Sequence, residues 1–290
     1  MSEYIIVTDS AGDLSAEMAK EMGVEVLPLS FTIRGTTLQN WPDHRDMPIR
    51  EFYQLVRGGE MPTTSAVNVQ QYVDLLTPAL ESGKDALILS FASALSATYQ
   101  SSVLAAQELQ EQFPERKIYV VDTKCASMGE GLLVWYAANK QKAGEDIDTV
   151  RDWCEENKGK FATWFTVNDL MHLKRGGRVS AATAVVGTML QIKPVLNVNE
   201  EGKLDTVAKG RGRKASLDIL VDRVKEKTAM PEGQTVFIAH GDCLEDAQYV
   251  GNALLEAGLA TEVQYNFLGP VIGSHTGPGA VVMAFVATEK

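Results

Sequence analysis

The first half of the chain alternates short apolar runs with amphipathic stretches, and this pattern leaves few folds open. Tyr4-Ile5-Ile6-Val7-Thr8 ends in Asp9-Ser10, as a buried strand does when it delivers polar side chains at its C-terminal end. Asp13 is expected to cap a helix over Leu14–Met22, in which Leu14, Met18 and Met22 share one face and Gly23 stops the turn. Val24–Ile33 ("VEVLPLSFTI") reads as a second strand. Asp85–Ala92 and Lys117–Thr123 read as further strands, each followed by a helix-like stretch. Strands separated by helices predict a mostly parallel, helix-covered sheet.

From about Phe161 the pattern changes. "FATWFTV" is β-rich, "NDLMHLKRGGR" is short and ends in glycines, and Lys193–Gly210 reads as a hairpin with Glu201-Gly202 at its turn. A helix near Arg213–Thr228, a strand over Thr235–His240, a helix from about Leu244 and strands over Thr261–Leu268 and Gly279–Ala287 follow. This half reads as a mixed-sheet α/β domain, joined to the first through the charged segment Gln141–Lys160. The expected domains are therefore 1–160 and 161–290. Residues 34–69, long and with little strand signal, are expected to be a small subdomain or an inserted segment.

A length of 290 residues suits one or two cores. The net charge of -11 excludes a general nucleic-acid binder and disfavours an electrostatic hold on anionic membranes. No apolar run is long enough to span a bilayer, which leaves room only for transient membrane contact. The start shows no secretory pattern. Cys125, Cys154 and Cys243 are far apart without CxxC spacing, so reduced thiols in a soluble cytoplasmic protein are expected.

GxxxxGK[ST], HExxH, GxSxG and EF-hand patterns are missing. His44, His172, His240 and His275 share no ligand spacing, so no metal is expected. "GRGRKA" (Gly210–Ala215) formally fits GxGxxA but sits late in the chain, and its arginines crowd the positive end of the following helix. An anionic ligand or acidic partner would explain them; a solvated charged turn explains them equally.

What remains is a set of loops rich in hydroxyls and glycines: Thr8-Asp9-Ser10, Thr63–Asn68, Ser90–Ser101, Leu173–Arg178 and Gly273–Gly279. In open α/β sheets ligands bind beyond the C-terminal strand ends. Hydroxyls with a histidine suit a carboxylate or a phosphate. Taken singly, each loop reads as a helix cap or turn before it reads as a site. "IGSHTGPGA" is no phosphate cradle, since it lacks a lysine and Pro278 removes a backbone donor. Its glycines are expected to turn the backbone before the last strand, leaving His275 and Thr276 at the sheet edge.

The succession "VTDSAGDL", "LPLSFTI", "TSAVN", "LSATYQS", "VVDT", "LKRGGRVS", "LQIKPVL" and "HTGPGA" resembles the DegV family in order and over nearly the whole chain. That family includes the fatty-acid-binding subunits of bacterial fatty acid kinase. The resemblance implies a two-domain α/β protein that encloses a long-chain fatty acid between its domains. It implies presentation of the carboxylate to a separate kinase subunit, which makes the acyl phosphate, and no cofactor besides the bound acid. Carried over, Thr64, Ser65, Ser96, His275 and Thr276 fall on the carboxylate contacts, and Arg178 lies near the head group. Arg211 and Arg213 lie where the family carries basic residues that meet the kinase or its phosphate. Ala97 stands where the family commonly has glycine, and Ala66-Val67-Asn68 replaces its Gln-Pro-Ser. Two other readings stay open: a hydrolase or acyl transferase with Ser96 as nucleophile and His275 as base, or a binding protein for another small lipid or carboxylic acid.

Overall fold

The computed structural model describes residues 3–179 and 191–290. Ser180 of "LKRGGRVS" and Met189 and Leu190 of "MLQIKPVL" lie outside the described residues.

The N-terminal half runs β1 (Tyr4–Asp9), α1 (Ala16–Met22), β2 (Glu25–Leu27), β3 (Ser30–Ile33), β4 (Thr36–Gln39), α2 (Ile49–Arg57), β5 (Thr63–Ser65), α3 (Val69–Glu81), β6 (Asp85–Ser90), α4 (Thr98–Gln112), β7 (Ile118–Asp122), α5 (Met128–Lys142) and α6 (Ile147–Asn157). Its main sheet has the order β2-β1-β6-β7 and is parallel throughout. β6 is buried along its whole length, as a central strand covered on both faces requires.

Two local expectations are corrected. Val24–Ile33 is not one strand: Pro28 has no N–H for a ladder, and the chain leaves the main sheet after Leu27. β3 then joins an antiparallel sheet of order β4-β3-β5, so the segment expected at 34–69 is a three-stranded sheet with α2, beginning at Ser30. Nor does Asp13 cap α1. Ser15 does, its hydroxyl accepting from Met18 N–H at 3.1 Å, while Asp13 sits in left-handed backbone with φ 52°.

The C-terminal half runs β8 (Phe161–Thr166), α7 (Met171–Arg175), β9 (Ile192–Val198), β10 (Leu204–Arg211), α8 (Arg213–Lys227), β11 (Gln234–His240), α9 (Leu244–Glu256), β12 (Ala260–Phe267), α10 (Pro270–Thr276) and β13 (Val281–Val286). Its sheet is mixed, in the order β10-β9-β8-β13-β11-β12, with only β11 and β12 parallel. The Glu201-Gly202 turn is present, with Gly202 at φ 81°.

Strand periodicity divides this half into two packed faces. Phe161 and Phe165 of β8, with Val282, Ala284 and Val286 of β13, join the core of the N-terminal half. Ala162, Trp164, Val281, Met283 and Phe285 point the other way, into a second core with Leu217, Leu220 and Val224 of α8 and Val250 and Leu254 of α9. The inner face of β8 and β13 thus faces the first half.

Between the halves lie buried carboxyls without a Lys or Arg partner among the described residues. Asp9 accepts from Ala11 and Phe91 N–H, both at 3.0 Å, and so fixes the turns after β1 and β6. The first of the hydroxyl-rich loops is therefore a structural node. Glu130 accepts from the Thr8 hydroxyl at 2.9 Å, and Asp13 from that of Ser127 at 2.5 Å. Burial raises Asp9 to about 6 and Asp13 to about 8; burial, and then the charge of Asp9, push Glu130 well above the carboxylate range.

Each raised carboxyl keeps a proton that the unfolded chain has lost, so its stabilisation is complete at low pH and fades as pH rises toward the folded value. Buried His240 and half-buried His275, lowered to about 4, act oppositely but only below their unfolded value of 6.5. Chemical denaturation at about pH 6.5 and about pH 8 is therefore expected to show lower stability at the higher pH, by roughly 2 kcal/mol for each retained proton. Glu130→Gln should flatten the slope. A stability that is level or rises over this interval contradicts the assignment.

Candidate functional site

A cavity opens between the inner face of the mixed sheet and the loops beyond the parallel sheet. About 900 Å³ of empty space lies within it, part of that open to solvent. Most of its wall is apolar, with Leu29 and Phe91 from the first half and Phe165, Val198 and Val282 from the second. Because β8 and β13 expose every second residue to this side, Phe165 and Val282 reach the cavity while their neighbours pack against helices.

The polar residues of the wall include Thr64, Ser96, Arg178, His275 and Thr276, the last two on α10. His275 donates or accepts at Nε2 with the Thr64 hydroxyl, 2.8 Å away. Its Nδ1 is buried with no hydrogen-bond partner among the described residues. The ring lies on the backbone of Gly176: a Cβ there would stand 2.0 Å from Nδ1, so only glycine fits. Burial, and then the nearby Arg178, lower His275 to about 4, so the imidazole is neutral at pH 7.

Ser96 Oγ accepts from Thr98 N–H at 3.2 Å and lies 2.9 Å from the Thr98 hydroxyl. Thr98 Oγ1 in turn accepts from Val67 N–H at 3.4 Å, tying the Ser96 loop to the Thr64 segment. When Thr98 donates, the Ser96 proton is left for a ligand. Arg178 is half-buried, its Nε donating to Leu95 O at 3.2 Å and its Nη1 to Gly176 O. It is the one cation among the described residues of the wall.

Ser65 is exposed at the rim of the cavity. Thr276 lines it, but its hydroxyl donates to Ile272 O at 3.0 Å, so its proton is committed to the helix and it offers lone pairs only. Arg211 and Arg213 are outside the wall. Arg211 is exposed at the end of β10, paired with Ile192 in the ladder, and no described residue forms an ion pair with it. Arg213 already donates from Nε to Asp246 at 2.8 Å.

One expectation about "IGSHTGPGA" is corrected. His275 and Thr276 stand on the last turn of α10, not on a loop at the sheet edge. The helix begins with Pro270 at its first position. Gly273 lies inside it because Phe52 and Tyr53 of α2 press there: a Cβ would come within 2.7 Å of the Tyr53 hydroxyl. Only Gly277 and Gly279, at φ 72° and 79°, serve the turn into β13.

Ser96 and His275 bond to Thr98 and Thr64, not to each other, which gives the nucleophile–base reading no geometric support. No group of three or more potential metal ligands occurs among the described residues, and none of their helices is long and apolar enough to cross a membrane. The lining residues Leu29, Phe91, Ser127 and Thr163, and Gly176 against the His275 ring, were not named individually as site residues from the sequence. They come from separate segments, and only strand alternation hinted at the apolar ones.

A profile described as "Uncharacterised protein, DegV family" matches residues 4–288. A DegV domain-containing protein of Clostridium perfringens is 42% identical over 290 residues, covering 100% of this chain and 99% of that protein. Among solved structures, a DegV family protein of Thermus thermophilus, described with fatty acid binding, superposes with a TM-score of 0.86 at 33% identity, covering 98% of this chain and 99% of that one. A fatty acid binding DegV family protein of Streptococcus agalactiae gives 0.85 at 30%, covering 100% of both chains. Matched end to end in sequence and in fold, the chain belongs to the DegV family.

Proposed function

We propose that this chain binds one long-chain fatty acid in the cavity and presents its carboxylate to a separate kinase subunit for acyl phosphate formation. The observation that carries the reading is an apolar cavity whose polar residues include one cation, Arg178, with the Ser96 hydroxyl and the Thr64–His275 pair. Each buried CH₂ contributes about 0.8 kcal/mol, so the chain supplies the affinity. A carboxylate leaves water only where donors replace its hydration, so the polar cluster sets the orientation. The Thermus and Streptococcus relatives, described as fatty acid binding, support the ligand class.

For presentation, the strand register is informative. Arg211 pairs with Ile192 at the end of the sheet where Thr166 pairs with Val195 and β8 gives way to α7, the route to Arg178. Arg211 is free of ion pairs among the described residues and suits a phosphate or an acidic surface, whereas Arg213 would first have to leave Asp246. In this reading the units 1–160 and 161–290 close on the ligand from either side, and the protein acts as a carrier in the cytoplasm without a catalytic apparatus of its own.

Protein purified under native conditions, then denatured and extracted, is expected to yield a long-chain fatty acid by mass spectrometry, near one per chain. Repeated preparations that contain none and take up none when palmitate is added would sink the reading. Ser96→Ala should weaken palmitate binding about tenfold by removing one donor from a buried carboxylate. The double variant Arg211→Ala/Arg213→Ala should bind palmitate normally yet be a poor substrate for a fatty acid kinase catalytic subunit. Normal phosphorylation of that variant removes the docking role.

A further inference from the structure

α10 carries Val271, Ile272, His275 and Thr276, all in the cavity wall. At seven residues it has too few internal hydrogen bonds to fix its own direction, so its placement depends on what holds its ends. Thr64 holds the C-terminal end through His275. At the other end, Tyr53 donates its hydroxyl to Leu268 O at 2.8 Å, and Asp13 Oδ1 accepts from the Gly269 N–H at 2.8 Å. Asp13 is 4% exposed and makes further bonds. Its Oδ2 accepts from the Ser127 hydroxyl at 2.5 Å, and its backbone carbonyl accepts from Asn266 Nδ2 at 2.7 Å. Ser127 belongs to the cavity wall at the start of α5, and its N–H donates to Ala11 O at 2.8 Å. One buried carboxyl, 256 positions from Gly269 in the chain, therefore touches both a wall residue and the entry to the His275 helix.

We propose that Asp13 is the positioning residue of this site: its carboxyl group ties the α5 wall, through Ser127, to the first turn of the helix that presents His275. The ligand in this statement rests on the fatty-acid reading; the geometry does not. Asp13 touches no substrate and acts through α10. Pressure of an acyl chain on the Ser127 wall reaches His275 through two hydrogen bonds and one short helix. Burial raises Asp13 to about 8, so near neutral pH its carboxyl is mostly protonated. In that form Oδ1 still accepts from Gly269, and the Ser127 hydroxyl turns so that the carboxyl proton is donated to its oxygen, reversing the direction of the bond made by the ionised carboxylate. Asparagine reproduces both bonds, and alanine reproduces neither.

The test compares Asp13→Asn, Asp13→Ala and Ser127→Ala by two readouts. One is the rate at which palmitate leaves the loaded protein; the other is the ¹⁵N chemical shifts of the His275 imidazole in palmitate-free protein. Asp13→Ala is expected to speed palmitate release about tenfold, the loss of a buried hydrogen bond to the helix, and to move the His275 resonances. Asp13→Asn should stay close to the starting protein in both, and Ser127→Ala should shift both in the direction of Asp13→Ala by less. Unchanged release and unchanged resonances in Asp13→Ala overturn the inference. So does an Asp13→Asn variant as impaired as Asp13→Ala. If Asp13→Ala does not fold, Ser127→Ala decides, and unmoved His275 resonances in it count against the proposal. If the unaltered protein binds neither palmitate nor any other long-chain acid, the functional reading falls, while the His275 resonances still decide this one.

Discussion

The hydrogen bond between Thr64 and His275 spans 211 residues of sequence and fastens the polar end of the cavity. It joins β5 of the small sheet to α10, just before the last strand of the large one. The histidine can sit there only because Gly176 offers bare backbone beneath its ring. Three distant segments meet on one imidazole, kept neutral by burial. A neutral ring beside the Arg178 guanidinium avoids two adjacent cations in a half-closed site, where their repulsion would be poorly screened. In the proposed function the Arg178 charge is then left for the ligand carboxylate.

Much of the fold was legible because strand and helix periods are local. The apolar runs at β1, β6 and β7, the β-rich start at Phe161 and the turn at Gly202 stand where the sequence pattern put them. Two misreadings had visible signals. Pro28 lies in the middle of the apolar run Val24–Ile33, and proline cannot serve a ladder there. Gly269-Pro270 is a helix-start pair, but the glycines that follow looked like a loop until Tyr53 explained Gly273.

The site was legible in part, and mainly through its resemblance to a family. Thr64, Ser65, Ser96, Arg178, His275 and Thr276 all line one cavity, whereas their spacing alone distinguished none of them from caps and turns. The detail within that set is tertiary. Which hydroxyl keeps its proton for a ligand depends on Thr98 beside Ser96 and on Ile272 O above Thr276. The acidic residues after β1 show the same limit. Asp9 works within its own turns and across to Phe91, but the partners of Asp13 are Ser127 and Gly269, and no local pattern announces contacts at that separation.

The central claim is that a fatty carboxylate sits ionised among Arg178, Ser96 and the Thr64–His275 pair while its chain fills the apolar cavity. Carbon-13 NMR of carboxyl-labelled palmitate bound to the protein addresses it most directly. A single resonance in slow exchange with free acid is expected, remaining ionised on acidification to a lower pH than micellar palmitate does, and losing that resistance in Arg178→Ala. A bound resonance that titrates like micellar palmitate, and is indifferent to Arg178, would contradict it.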